Sequence, residues 1–151
     1  MMSEHEHEDA APPLPFFVYG TLRPGEPNHD LFLRGRVHRE EPGALSGAAL
    51  YDGPGYPYAV ERATGTVHGE IVTALPEAYP ELLACLDRLE EYEPGGSVNL
   101  YERVEREVTS GDGRRVRAWV YVAAPSVAAR LRAHGRPIEG GDWLARAQGT
   151  R

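Results

Sequence analysis

One stretch of this chain has the periodicity of a long helix, and it lies between short runs that are typical of strands. Within residues 77–91, four apolar side chains stand at positions i, i+3, i+4 and i+7: Leu82, Cys85, Leu86 and Leu89. That spacing forms one stripe on an α-helix. Pro76 precedes the stretch and Pro94 follows it, as expected at helix boundaries. The sequence therefore predicts one main helix.

Outside this stretch, glycine and proline interrupt the apolar runs, with 17 glycines and 13 prolines among 151 residues. Apolar or alternating runs bounded in this way predict strands. The predicted strands are 16–20, 44–51, 67–72, 101–108 and 116–122. The last two are expected to form a hairpin through 110–113, while 28–34 and 127–133 are predicted short helices. This pattern permits a small sheet with few helices.

Charge and cysteine content exclude several classes of function. The net charge of −7 argues against non-specific binding to nucleic acid. Cys85 is the single cysteine, so no internal disulfide can form, which fits a reducing compartment. Its place on the apolar stripe predicts a buried core residue and not a nucleophile. No run is long enough to span a bilayer, and no secretory signal is visible, so the expected location is the cytoplasm.

The ends of the chain differ in composition from its middle. Residues 1–15 are acidic and then proline-rich, which predicts a disordered tail. A single domain is expected over residues 16–145, followed by a flexible C-terminal tail at 146–151. His5 and His7 lie in the first tail, where no functional metal site is expected, because a flexible segment holds a metal poorly.

The first predicted strand runs directly into a turn. Its apolar residues are followed by Tyr19, Gly20 and Thr21, and glycine allows close approach of the backbone. Consecutive N–H groups in such a turn can form a small anion-binding concavity. An ordinary strand end accounts for the same residues, and the local pattern leaves both interpretations open.

Glu90 stands out at the end of the predicted main helix. Helical geometry places it about 40° from Leu86 and about 20° from Leu83, so it leans toward the apolar side. Burial of a carboxylate raises its pKa, which would let Glu90 exchange protons near neutral pH. The alternative is a helix-end glutamate that reaches water, and the periodicity alone does not decide between them.

Three motifs resemble those of the γ-glutamylcyclotransferase-like family. The sequence at 19–25, Tyr-Gly-Thr-Leu-Arg-Pro-Gly, is similar to the opening signature of that family. Residues 86–90 resemble its Leu-Asp-x-x-Glu segment, and 141–143 its closing Gly-Asp-Trp. The resemblance implies an α+β fold, with a small mixed β-barrel-like sheet, one main helix and short flanking helices.

The resemblance also implies a reaction and a set of site residues. The α-amine of a γ-glutamyl amine or amide would attack its own γ-carbonyl and release 5-oxoproline and a free amine. Glu90 would be the general acid/base, without a metal or other cofactor. The implied substrate-binding residues are Tyr19, Gly20, Thr21, Leu22 and Tyr101. Where the family usually has glycine after this glutamate, the chain has Glu91, which leaves the shape of the pocket open.

Two other functions remain possible at this stage. The first is a non-catalytic domain of the same fold that binds a small ligand or regulates. The second is a biosynthetic enzyme that removes a γ-glutamyl protecting group, or one that cleaves a γ-glutamyl-ε-lysine isopeptide. Tyr101 is equally compatible with an aromatic residue that only packs on the core. The sequence identifies neither the leaving amine nor the oligomeric state.

Overall fold

The structure is a computed structural model that describes residues 13–53, 56–93, 95–96 and 98–145. Residues 1–12 and 146–151 lie outside the described residues, so the disorder expected of both tails stays a prediction. The same holds for Pro94 as a helix boundary.

Five strands in the described part of the chain close into a barrel in the order β1-β3-β2-β4-β5. The strands are β1 (Phe16–Val18), β2 (Val37–Tyr51), β3 (Tyr58–Ala74), β4 (Tyr101–Ser110) and β5 (Arg115–Ala123). Neighbouring strands are antiparallel, except that β1 meets β5 in parallel, where Phe16 pairs with Trp119. The predicted small mixed barrel is therefore confirmed.

The main helix spans Tyr79–Leu89 and follows a 3₁₀ turn at Pro76–Ala78. Further helical segments in the described part of the chain flank the barrel, among them a five-residue π-helix at His29–Leu33, an α-helix at Pro125–His134 and a 3₁₀ turn at Glu139–Gly141. One main helix with short flanking helices is what the resemblance implied.

The apolar stripe of the main helix is buried at its centre only. Leu82 and Leu86 are fully buried, as predicted. Cys85 is half-buried, so its prediction as a core residue was wrong. It lies at the edge of the stripe, where its sulfur accepts a weak hydrogen bond from exposed Arg88 at 3.5 Å.

Strands β2 and β3 are longer than the sequence predicted. They pair along most of their length, from Val37 opposite Ala74 to Tyr51 opposite Tyr58. The register shifts twice, once between Val37 and Arg39 and once in the middle, where residues 62–65 bulge from β3 and are exposed. The predicted strand at 67–72 is thus extended back to Tyr58, because the continuous partner β2 supplies hydrogen bonds on both sides of the bulge.

The side chains of β1 alternate between two buried clusters, and this packing fixes the chain just before the turn. Phe17 belongs to a buried cluster contributed mainly by the five strands, which fills the barrel. Phe16 and Val18 belong to a second cluster, which includes Leu82 and Leu86 of the main helix. Since this short strand is packed on both faces, the residues that follow it have a fixed place between the barrel and the main helix.

Candidate active site

A cavity of about 380 Å³ lies between the turn after β1, the end of the main helix and the start of β4. All six residues that the sequence predicted for the site line it: Tyr19, Gly20, Thr21, Leu22, Glu90 and Tyr101. Residues from three separate parts of the chain thus meet in one place.

One wall of the cavity is the turn 19–22. The carbonyl oxygens of Gly20 and Thr21 accept hydrogen bonds from the N–H groups of Arg23 and Asn28, at 3.0 and 3.1 Å. The N–H groups of Gly20, Thr21 and Leu22 donate to no acceptor in the described part of the chain. The turn therefore closes through its carbonyls and leaves three amide donors unpaired.

Gly20 is required at this position by close packing. A Cβ atom placed there would lie 2.8 Å from the Cδ and Cγ atoms of Pro57, which is shorter than a van der Waals contact. Pro57 also lines the cavity and is buried. Any larger residue at position 20 would push the turn away from β3.

Arg23 fixes the turn through two ion pairs. Its buried guanidinium pairs with Glu70 of β3 through Nε at 2.7 Å and with Asp142 through Nη1 at 2.7 Å. Asp142 belongs to the Gly-Asp-Trp sequence, so this ion cluster joins the opening and closing motifs of the chain. Sequence reasoning missed these partners, because nothing in the spacing of the charges pairs residues that lie 47 and 119 positions from Arg23.

The opposite wall is the C-terminal end of the main helix. The N–H of Tyr92 donates to the carbonyl of Asp87 at 2.8 Å, and that of Glu91 to the carbonyl of Arg88 at 3.1 Å. These two bonds form a Schellman motif, in which the residue after the cap adopts a left-handed conformation that favours glycine. Glu91 holds that position with a φ of +56°. The glycine usual in the family thus has a conformational explanation.

Glu90 precedes this position and faces the cavity without a partner. Its carboxyl group makes no hydrogen bond and no ion pair with any other described residue, and its side chain is largely removed from solvent. Burial raises the pKa of Glu90 from 4.5 to about 7, the direction expected from its place beside the apolar stripe. Near neutral pH this carboxyl can both take up and release a proton.

The two tyrosines of the predicted site use their hydroxyl groups within the protein. The hydroxyl of Tyr19 donates to the carbonyl of Tyr121 at 2.5 Å and accepts from the N–H of Ala59 at 3.2 Å. That of Tyr101 donates to the carbonyl of Pro57 at 2.7 Å. Burial, with a smaller contribution from the Glu90 charge, raises the pKa of both phenols, so both stay protonated.

These contacts limit what each tyrosine can offer a ligand. The Tyr19 hydroxyl is fully engaged, so this residue contributes its backbone and its shape. The Tyr101 hydroxyl has committed its proton and can only accept a further hydrogen bond. Its ring also stacks on Tyr58, with 4.7 Å between the centroids. Tyr101 thus both lines the cavity and packs on the core, and its role in binding substrate stays a prediction.

Asp87 lies one turn before Glu90, and sequence reasoning did not assign it a role. Its carboxylate accepts hydrogen bonds from Arg103 Nε at 2.9 Å, Arg103 Nη2 at 3.2 Å and the Tyr121 hydroxyl at 2.6 Å. The Arg103 guanidinium also lies over the Trp119 ring, 4.4 Å from its centroid. The signal for this contact was present in the Leu-Asp-x-x-Glu segment, whose aspartate fixes the helix end to β4 and β5.

Two negative observations apply to the described residues only. They include no group of three or more His, Cys, Asp or Glu side chains arranged to hold a metal ion. Their helices are all too short or too polar to cross a membrane. The cytoplasmic location and the lack of a cofactor stay predictions.

Comparison with known proteins supplies an independent assignment. The family model described as "Gamma-glutamyl cyclotransferase, AIG2-like" matches residues 16–145. The chain belongs to this family. The γ-glutamyl cyclotransferase family resemblance seen in three short motifs therefore extends over the whole barrel and the main helix.

Individual relatives of this γ-glutamyl cyclotransferase family member agree with the match. The chain is 36% identical over 107 residues to the gamma-L-glutamyl-butirosin B gamma-glutamyl cyclotransferase of Niallia circulans. The match covers 70% of this chain and 64% of that protein, which is less than two thirds of its length. A second relative, from Halalkalibacterium halodurans, is 37% identical over 97 residues, which cover 63% of this chain and 77% of the relative.

A solved structure supports the fold alone. The crystal structure of YkqA from Bacillus subtilis is similar with a TM-score of 0.64 and 23% identity. The similarity covers 91% of this chain and 42% of YkqA. The barrel and its helices are thus shared with a chain of more than twice this length.

Proposed function

We propose that this chain converts a γ-glutamyl amine or amide into 5-oxoproline and a free amine, with Glu90 as the general acid/base. The observation that carries the proposal is the unpartnered, half-buried carboxyl of Glu90, in a cavity that is also lined by the three residues with unpaired N–H groups. The carboxyl can move a proton and the N–H groups can bind an anion, and this cyclisation needs both functions.

The substrate supplies its own nucleophile. Its α-amine nitrogen forms a bond to the γ-carbonyl carbon, a five-membered ring closes, and the bond from that carbon to the leaving nitrogen breaks. Attack within one molecule, once the chain is folded into the reactive conformer, is worth effective molarities of roughly 10⁵ M or more. The protein therefore has to bind, fold and orient the substrate, and to move protons.

The turn 19–22 is proposed to bind the α-carboxylate. The amide donors of Gly20, Thr21 and Leu22 are unpaired in the described part of the chain, and the described residues that line the cavity include no arginine or histidine. Backbone donors are thus available partners for a negative group there. Because the turn is held by the Arg23 ion cluster, these donors need little rearrangement when a ligand binds.

Glu90 is proposed to carry the proton between two nitrogen atoms. As a carboxylate it accepts a proton from the attacking α-amine, and as a carboxylic acid it gives that proton to the leaving nitrogen. A pKa of about 7 suits both half-steps, since neither protonation state is strongly disfavoured at neutral pH. Such catalysis is typically worth about 10² to 10⁴ in rate.

A second candidate is removal of a γ-glutamyl group from a larger molecule. The relative from Niallia circulans is named for its γ-L-glutamyl-butirosin B substrate, and this likeness is the observation that favours the candidate. The chemistry at Glu90 would be the same, and only the leaving amine would differ. A non-catalytic binding domain is the less favoured alternative, because it does not need an unpartnered carboxyl at this position.

Release of 5-oxoproline from a panel of γ-glutamyl amines tests the proposal. The wild type is compared with Glu90→Gln, which keeps the size of the side chain and cannot carry the proton, and with Glu77→Gln as a control at an exposed position outside the cavity. We expect release by the wild type and the control, and a loss of several hundredfold or more in Glu90→Gln. Unchanged release in Glu90→Gln would contradict the role of Glu90. Saturable binding without release would favour the binding domain.

A further inference from the structure

The rim of the cavity carries a negative charge next to the proposed acid/base. Three exposed residues line the cavity and therefore mark its opening: Pro27, Glu91 and Leu100. Of these, Glu91 alone is charged. It follows Glu90 directly in the chain, so the exposed residue of this wall is the immediate neighbour of the proposed acid/base.

No positive side chain is found among the described residues that line this cavity. They include neither arginine nor histidine, and the chain contains no lysine. Arg103, which supports the helix end, is paired with Asp87 and does not line the cavity. Both carboxylates also stand at the C-terminal end of the main helix, where the helix dipole adds partial negative charge.

An aromatic ring, that of Tyr56, lines the same cavity as Glu91. Tyr56 lines the same cavity and is half-buried, with its ring in edge contact with Tyr58 at 5.7 Å between centroids. Ammonium groups are attracted both to carboxylates and to the faces of aromatic rings. The described residues that line the cavity thus include two groups that favour a cation and no charged group that favours an anion.

We propose that Glu91 is a specificity-determining residue that selects γ-glutamyl substrates whose leaving amine carries a second, cationic amine. This inference rests on the proposed function, and it names the substrate class of that same cavity. A leaving amine that bears a carboxylate would be disfavoured by the same charge. Glu91 acts on binding of the leaving group and takes no part in the proton transfer assigned to Glu90.

Three matched probes test this selection: the γ-glutamyl amides of 1,3-diaminopropane, propylamine and β-alanine. Their leaving groups have similar length and carry positive, neutral and negative charge. We expect kcat/KM to fall in that order, with the cationic probe ahead of the neutral one by about fivefold, the range for an exposed charge pair. Because the rim is exposed, 1 M salt should reduce this preference.

Two variants and a control separate Glu91 from the general charge of the protein. Glu91→Gln and Glu91→Gly should both bring the three kcat/KM values together, and the glycine variant also relieves the left-handed backbone. Glu77→Gln removes the same charge outside the cavity and should keep the preference. Equal kcat/KM for the three probes in the wild type, or a preference that survives in both Glu91 variants, would overturn the inference and leave the proposed function intact. No 5-oxoproline from any probe would count against both.

Discussion

The two walls of the cavity are supported by similar ion pairs, but they present different chemical groups to the cavity. Behind the turn wall, Arg23 is paired with Glu70 and Asp142, and behind the helix wall, Asp87 is paired with Arg103 and Tyr121. In front, the turn presents neutral amide donors, whereas the helix end presents an ionisable carboxyl. The proposed anion-binding donors of the first wall keep the same charge over the physiological pH range, whereas the carboxyl of the second wall changes its charge near pH 7.

This difference shows how the chain separates binding from chemistry. Buried charges that are paired have little freedom to react, and they fix the backbone on which the unpaired groups stand. The unpaired groups then face the cavity with a geometry that the supporting pairs determine. Substitution of the cavity-facing carboxyl at the helix end should therefore alter the reaction rate and its pH dependence. Substitution of the charges that support the turn should instead alter the free energy of unfolding.

The largest effect is expected in the pH dependence of the reaction. With the Glu90 pKa at about 7, the free enzyme loses the basic form of its acid/base as the pH falls below 7. We expect kcat/KM for 5-oxoproline release to approach a tenfold decrease per pH unit well below 7, which amounts to about fiftyfold between pH 7 and pH 5. Circular dichroism at each pH verifies that the protein stays folded. A midpoint near 4.5, the ordinary value for glutamate, would show that Glu90 does not change its charge near pH 7, and the difference between the two walls would be lost.

The next effect concerns the support behind the turn. Arg23→Met removes a buried guanidinium and leaves Glu70 and Asp142 without their partner, so we expect a loss of about 3 kcal/mol in the free energy of unfolding. Urea denaturation measures it. Arg106→Met is the matched control, because the side chains of Arg106 and Glu61 are each 40% exposed and their pair should contribute less than about 1 kcal/mol. Equal losses in both variants would argue against a special role for the Arg23 cluster.

A third effect links Glu90 to stability. The folded pKa of about 7 exceeds the ordinary 4.5, so the folded protein holds this proton more tightly than the unfolded chain. The stability that protonated Glu90 allows is thus fully present below pH 4.5 and is lost as the pH rises through 7. Since glutamine carries no charge, Glu90→Gln should be more stable than the wild type above pH 7, by at most about 3 kcal/mol.

Urea denaturation at pH 4 and pH 8 measures this difference. At pH 4 the two proteins should have nearly the same free energy of unfolding. A difference of the same size at both pH values would indicate a packing effect of the substitution. It would then carry no information on the charge of Glu90.

The smallest effect is expected at Glu91. A left-handed residue at the end of a helix is less strained as glycine, so Glu91→Gly should raise the free energy of unfolding by about 1 kcal/mol. Glu77→Gly is the control at an exposed position where φ is not positive, and there glycine should lower stability. If both substitutions destabilise, the conformational account of the helix end is wrong.

Local periodicity predicted the elements that depend on local patterns. The spacing of Leu82 and Leu86 identified the buried face of the main helix, and the alternation around residues 110–113 identified the hairpin of β4 and β5. The same periodicity predicted that Glu90 leans toward the apolar side of the helix. These features depend only on residues close in the chain, so the sequence carries their signal directly.

Long-range pairing supplied what the sequence could not predict. Residues 61–66 have no alternating pattern, yet they lie within one strand from Tyr58 to Ala74, because β2 pairs with it on both sides of a bulge. Cys85 fits the helical stripe, but the barrel covers only the centre of that stripe. The six residues of the candidate site came from family resemblance and local pattern, and both leave open which distant charges support them.

The bond between Arg23 and Asp142 also has a consequence for the time course of folding. It joins residues 119 positions apart, so the support of the turn wall is incomplete until nearly the whole domain has been synthesised. Contacts of such long separation form late and slow the folding of barrels. The turn 19–22, although it lies close to the start of the chain, should therefore be among the last parts of the molecule to become rigid on the ribosome.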